Sequence, residues 1–267
     1  MVELIIVLLG IVLFYVSFVI PTKWLKVERV EVPLGINKKI LQLSDLHVER
    51  NRIRPEQIRD LLVSEKPDYI FITGDFTAGE KYISRIKPYL NLFQEYGKVV
   101  YAVFGNHDYR TEELPHRLLS WLGENGVRVL INESIELDDF TLVGLDFYKE
   151  EDGDVERAFR EVKSGKPKVV LSHDPNDFLR VEKPFDLMLS GHLHGKQFNV
   201  PFFFKFISKG KLAQKGIYKG LHQIDGTHLY ISKGMGQAHW NLRLGVRSEV
   251  TVLTLTAGKK GDEKIKT

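Results

Sequence analysis

The sequence contains no cysteine. That excludes disulfides and thiolate ligands, so any metal site must be built from nitrogen and oxygen donors. Net charge is nearly absent too: 38 Lys and Arg against 35 Asp and Glu leave +3, which marks no nucleic-acid footprint. No Pro/Gly/Ser-rich linker and no internal repeat divides the chain. One stretch lacks acids altogether: Gly195 to Ile224 carries lysines 196, 205, 209, 211, 215 and 219 and neither Asp nor Glu.

What is present begins with a long apolar run. Leu4 to Ile20 (LIIVLLGIVLFYVSFVI) is seventeen residues without a charge, followed by Pro21. As a helix it measures about 25 Å, close to the hydrocarbon thickness once its flanks are added. A cleaved leader would want a basic start and a small-residue cleavage site; Glu3 precedes this run instead. The expectation is a single-pass anchor in the cell membrane over residues 1–22. Lys23, Lys26 and Arg29 follow it, and the positive-inside rule then places the body in the cytoplasm. Residues 23–257 are expected to form one catalytic domain, with a disordered tail over 258–267.

The body alternates short apolar runs with amphipathic stretches. Lys38–Asp45, Asp68–Asp75, Lys98–Asn106, Lys168–Asp174 and Asp186–His192 read as buried strands. Pro55–Glu65, Lys81–Tyr96, Glu112–Asn125 and Val155–Lys163 read as helices. His228–Gly234 and Glu249–Thr256 alternate like antiparallel strands, as do Val129–Ile131 and Thr141–Val143. The pattern is α/β with mixed sheets.

Each of the five buried strands ends in polar residues of one chemical kind. SDLHV supplies Asp45 and His47, TGDF supplies Asp75, and GNHD supplies Asn106 and His107. LSHD supplies His173, and SGHLHG supplies His192 and His194. Open α/β sheets build their sites at strand carboxyl ends. Residues two apart in an extended segment face the same side, so Asp45/His47 and His192/His194 can each act as a pair. Any one of these motifs alone reads as a capped turn; the ordered set points to metal. Oxygen and imidazole donors suit Mn, Fe, Zn or Ni.

The series D-x-H, G-D, G-N-H-D, H and G-H-x-H, from Asp45 to His194, resembles the calcineurin-like metallophosphoesterase family. The resemblance implies a sandwich of two mixed β-sheets flanked by helices, and a site for two divalent metal ions. It implies that Asp45, His47 and His194 hold one ion and that Asn106, His173 and His192 hold the other. Asp75 would bridge them and His107 would lie beside the scissile phosphate. DPNDF, FDLMLSGHLHGKQF, GIYKG, LYISKGMG and RLGVRSEVTVLTL are similar to a membrane-anchored bacterial phosphodiesterase branch. That branch includes hydrolases of UDP-2,3-diacylglucosamine, a lipid A precursor. Two departures, Gly195-Lys196-Gln197 and Asn241-Leu242-Arg243, fall on the expected substrate side. Protein phosphatases of the superfamily place Arg after G-D and before G-N-H, whereas Phe76 and Phe104 stand here, which favours a diester or pyrophosphate.

The expected activity is hydrolysis of a phosphodiester or pyrophosphate, in a lipid-linked or nucleotide-containing substrate, by metal-activated hydroxide. His107 would protonate the leaving oxygen, a task suited to a pKa near 6.5. Asp108 would either orient that ring or cap the turn. The alternatives are a nuclease or cyclic-nucleotide phosphodiesterase, and a non-catalytic membrane scaffold. The run FNVPFFFKFI, with Phe202, Phe203, Phe204 and Phe206, reads either as a surface for anionic lipid or as a core strand beside a charged loop. His116, His222 and His228 read as surface or packing residues, and His239 as a candidate for the pocket rim.

Overall fold

In the computed structural model, residues 1–147, 154–163, 165–200 and 209–258 are described. The apolar runs form two six-stranded mixed sheets. The first contains β1 (Lys26–Pro33), β2 (Lys38–Leu43), β3 (Tyr69–Thr73), β4 (Val100–Val103), β5 (Val127–Val129) and β12 (Glu249–Thr256). Its spatial order is β1-β12-β2-β3-β4-β5. The second contains β6 (Glu133–Glu136), β7 (Thr141–Gly144), β8 (Lys168–Leu171), β9 (Leu187–Ser190), β10 (Gly220–Ile224) and β11 (Thr227–Ile231). It is ordered β10-β11-β9-β8-β7-β6.

Period-two alternation sends successive side chains to opposite faces. Ile40, Phe71, Tyr101 and Leu253 of the first sheet meet Leu142, Val169, Leu187 and Tyr230 of the second in one shared core. The other face of the first sheet, with Leu41, Leu43, Ile70 and Ile72, takes the apolar sides of three helices. These are α3 (Pro55–Glu65), α4 (Lys87–Glu95) and α5 (Glu113–Glu124). The outer face of the second sheet packs Val170, Met188 and Leu229 against Phe159 and Leu212. Strands covered on both faces read as continuous apolar runs rather than alternating ones.

Several expectations need correction. β12 runs antiparallel to β2 but parallel to β1, and β11 is antiparallel to β10 but parallel to β9. β5 ends at Val129, so the strand expected over Val129–Ile131 lies earlier. The helix expected from Lys81 opens as a 3-10 segment, Glu80–Ile86, and becomes α-helical only at Lys87, where Pro88 occupies the first turn. α6 (Val155–Phe159) stops short of Lys163. β1, β6 and β10 were not expected; β10 lies in the lysine-only stretch, whose Phe202–Phe206 portion lies outside the described residues, as does the tail beyond 258.

The N-terminal run is helical from Val2 to Lys23, with no part of its apolar window buried. Twenty-two residues give about 33 Å of helix, enough to cross a bilayer. Its C-terminal end is docked on the body. The backbone N–H groups of Arg243 and Ser248 donate to Phe18 O and Pro21 O, each at 3.0 Å. Thr22 is fully buried, and its hydroxyl accepts from Arg52 at 3.0 Å.

Candidate metal centre

β2, β3 and β4 are parallel neighbours, and so are β8 and β9. Their carboxyl ends deliver Asp45, Asp75, Asn106, His173 and His192 to one edge of the sandwich. All seven expected ligands meet there. Two ligands about 2.1 Å from a common ion and 90–109° apart stand about 3.0–3.4 Å from each other. The observed separations fall in that window. Asp75 Oδ2 is 3.3 Å from His47 Nε2 and 3.3 Å from His173 Nε2. Asp45 Oδ1 is 3.3 Å from His194 Nε2. Asn106 Oδ1 and His192 Nδ1 each stand 3.2 Å from His173 Nε2.

Asp45, His47, Asp75 and His194 offer four buried donor atoms within 4.8 Å of one another. Both ring nitrogens of His47 and Nδ1 of His194 are buried without a hydrogen bond. Such a concentration of buried charge and unmet lone pairs is costly unless a cation answers it. The residues fit a divalent ion. His173 is oriented by a hydrogen bond: its Nδ1–H donates to Thr73 O at 2.8 Å, which in the neutral ring leaves the Nε2 lone pair available to an ion. The negative field is strong enough to override burial at two rings. Burial disfavours charge on His47 and His173, yet Asp75 raises them to about 9 and about 10.

The loops reach this geometry at a conformational cost. Asp45, His47, Asp75, His192 and His194 all have positive φ, between 39° and 69°. Left-handed backbone is uncommon for non-glycine residues and clusters at functional sites. Gly191 is required by close approach, since a Cβ there would run into Ser44 Oγ and Asp45 Oδ2.

Asp108 caps the turn and does not orient His107. Its buried carboxylate accepts from four backbone N–H groups: Asp75 at 2.8 Å, Phe76 at 2.8 Å, Thr77 at 3.2 Å and Gly105 at 2.9 Å. That clamp joins the loop after β3 to the loop after β4, and so sets Asp75 against Asn106. Asp108 is therefore a positioning residue, and the ring-orienting role falls away. The His107 ring has Arg110 as its neighbour instead, with Nη1 3.5 Å from Nδ1. Burial pushes His107 down to about 4, with His47 and Arg110 adding to the effect against Asp75. This is lower than the ordinary imidazole value assumed from sequence.

A cleft of about 290 Å³ opens above the ligands, walled in part by His107, Arg110, Lys209, Ala238 and His239. His239 thus lines the rim. Arg110 and Lys209 were missed in the sequence because neither occupies a motif position; only Arg110's spacing, three residues after His107, was a signal. In the two departing triplets, Gln197 and Arg243 keep the branch pattern and are buried, while the departing Lys196, Asn241 and Leu242 are half-buried. Gln197 Nε2 donates to Ala238, Trp240 and Leu242 carbonyls at 2.9–3.0 Å, stapling the rim loop. Arg243, wholly buried, donates to the carbonyls of Lys233, Gly234, Gly236 and Arg247. Neither side chain is spent on substrate.

The profile of the calcineurin-like phosphoesterases matches residues 38–196. The chain belongs to this family. The metallophosphoesterase YkoQ of Bacillus subtilis is 37% identical over 86% of this chain and 90% of its own length. The phosphodiesterase YaeI of Escherichia coli is 31% identical over 81% of this chain and 82% of its own. A bovine "transmembrane protein with metallophosphoesterase domain" is 28% identical over 86% of this chain and 57% of its own length. This calcineurin-like phosphoesterase is accordingly a metal-dependent hydrolase of phosphate esters.

Replacing Asp108 by Asn should damage the centre without removing a ligand. The amide nitrogen cannot accept, so about two of the four N–H groups lose their partner, at about 1–3 kcal/mol each. Metal affinity should fall about 10–100-fold, as for other outer-shell losses. Calorimetric metal titration and chemical denaturation would measure both; unchanged values would leave the clamp without a role.

Proposed function

We propose that the chain is a membrane-anchored dinuclear phosphodiesterase acting on an amphiphilic phosphodiester or pyrophosphate. The observation that carries the dinuclear reading is Asp75 Oδ2, equidistant at 3.3 Å from His47 Nε2 and His173 Nε2. One ligand group, Asp45, His47 and His194, lies on one side of it, and Asn106, His173 and His192 lie on the other. Ions of the Mn, Fe, Zn or Ni type would supply positive charge to the phosphate oxygens and acidify the attacking water.

The chain's own residues do the rest. The cleft admits a phosphate between the ligands and a cationic wall of Arg110 and Lys209, which would balance charge growing on the equatorial oxygens. His107 stands beside that space as the proton donor to the leaving oxygen. An anionic phosphate alongside would raise the pKa that burial lowers. Because Arg110 reaches the cleft, the lack of arginine at Phe76 and Phe104 does not by itself select a diester. The diester reading rests more on the likeness to YaeI.

The amphiphilic reading has a path to support it. Rings of Phe14 and Phe18 on the N-terminal helix stack at 5.0 Å, Phe18 meets Phe198 at 6.5 Å, and Phe198 meets Trp240 at 6.1 Å. Trp240 is 70% exposed and adjoins His239 on the cleft rim. Aromatic surface therefore runs from the helix to the site, along which an acyl or prenyl chain can lie. Thr22 ends the proposed anchor, residues 23–257 the catalytic body, and Lys23, Lys26 and Arg29 favour a cytoplasmic body. UDP-2,3-diacylglucosamine is one substrate of the proposed class. The scaffold alternative has little support, since every expected ligand is in place.

Three measurements test this. Elemental analysis of chelator-free protein should give close to two divalent ions per chain, and Asp75→Ala should lose both; a single ion would refute the dinuclear reading. His107→Asn should lower turnover about 10²–10⁴-fold on poor leaving groups, and much less on nitrophenyl esters. Equal losses on both would assign His107 to phosphate positioning. Trp240→Ala should raise KM about fivefold or more for a lipid-linked pyrophosphate, as expected for about 1 kcal/mol or more of lost apolar contact, and leave bis-nitrophenyl phosphate unaffected. A preference for soluble diesters that Trp240→Ala leaves intact would sink the amphiphilic reading.

A further inference from the structure

A second cleft, about 490 Å³, lies where the N-terminal helix meets the body. Its wall carries Lys23 from the last turn of that helix, Arg52 and Arg54 from the loop after β2, and Arg85 from the 3-10 segment. None of its ten wall residues is acidic. Among the described residues, none of these four cations is in an ion pair with a carboxylate. Arg52 bonds the Thr22 hydroxyl, Lys23 the Tyr15 hydroxyl, and Arg85 stacks at 4.8 Å on Tyr82. Four cations without a carboxylate partner thus share one wall.

A further donor points the same way. The side-chain nitrogen of Asn51, another wall residue, is buried with no hydrogen-bond partner. A buried N–H group without an acceptor is costly. Four cations and an unmet donor together ask for an anion with several acceptor oxygens, and a phosphate has that chemistry.

Position selects the source of that phosphate. Lys23 ends the apolar helix, so a helix that spans a bilayer brings the cleft to headgroup height. We infer that this cleft binds the phosphate headgroup of an anionic membrane lipid, separately from the metal centre. The inference rests on the proposed membrane anchoring of the helix, and it is independent of the substrate reading. Bound lipid would neutralise the four cations and hold the body against the membrane surface, adding a second attachment to the helix. Each basic side chain near an anionic leaflet strengthens attachment about fivefold.

The test uses the full chain in phosphatidylcholine nanodiscs containing one-tenth phosphatidylglycerol. Lipid retained per chain after mild detergent extraction is counted by mass spectrometry. The native protein should retain phosphatidylglycerol well above its bulk ratio, and Arg54→Gln/Arg85→Gln should cut that enrichment about tenfold or more. Hydrolysis of bis-nitrophenyl phosphate by the double variant should stay within twofold of native, showing an intact fold. Glycerol 3-phosphate and inorganic phosphate, at millimolar concentration, should not displace the lipid. Displacement by either would make this a site for soluble phosphate and overturn the lipid assignment. A chain that enters the nanodisc without enriching phosphatidylglycerol overturns the cleft alone. A chain that fails to enter even pure phosphatidylcholine nanodiscs overturns the anchor and, with it, this inference.

Discussion

A carboxylate that is almost wholly buried must have its charge answered from within, and Asp75 is answered from three directions. Its Oδ1 accepts the His107 backbone N–H at 2.8 Å, while its Oδ2 faces His47 and His173. His173 comes from the second sheet and the other two from the first, so one side chain links the carboxyl edges of both halves of the sandwich. Asp45, also fully buried, adds a second charge nearby. Two buried carboxylates among neutral-capable imidazoles leave a site whose energy falls when a divalent cation enters. Metal binding is therefore coupled to the stability of these loops, and to proton release from the rings that ligate.

The second constraint is that the ligand loops cannot hold their own shape. Five of the expected ligands sit in left-handed backbone, so the surroundings must over-determine them. Asp108 does this from one side, through four backbone amides. From the other side, the segment after β11 presses on the ligands: a Cβ at Gly234 would lie 2.7 Å from Asp45 Cβ, and one at Gly236 would lie 2.7 Å from His47 Cβ. Arg243 fixes that segment by donating to Lys233, Gly234 and Gly236 carbonyls together. A buried guanidinium is tolerable here because fixed carbonyl dipoles solvate it; burial still lowers its pKa to about 10.

These roles explain what could be read in the sequence and what could not. Ligand residues were legible because they follow apolar strands at once, and strand order puts their carboxyl ends on one edge. α3 was legible to the residue, since Pro55 fixes its first turn. The clamp made by Asp108 was not legible, because three of its four backbone partners lie 31–33 residues away in sequence. A side chain that accepts from residue 75 while standing at residue 108 leaves no periodic trace. Arg110 and Lys209 were missed because only folding brings them to the same wall. β11 and β12 alternate like antiparallel strands and do pair so on one side, but their parallel partners, β9 and β1, lie about 40 and 220 residues upstream. Local pattern reports neither partner nor direction across such distances.

The N-terminal helix and the metal centre share their supports. Arg243 N–H holds Phe18 O while its guanidinium braces the glycines behind Asp45 and His47. Ser248 N–H holds Pro21 O and its hydroxyl donates to Met235 O, within that same segment. The loop from Asp45 to Arg54 begins at two ligands and ends at the cationic cleft beside Lys23. A helix end fixed by backbone hydrogen bonds to the segment that walls the cleft rim cannot swing freely relative to the ligands. Its height therefore sets the height of the metal centre. For a helix in a bilayer, this rigidity holds the catalytic cleft at a defined distance from the lipid headgroups, where a flexible linker would leave it to diffuse. On the proposed reading, a membrane-embedded substrate meets the site at one depth, and a soluble one gains nothing from the arrangement.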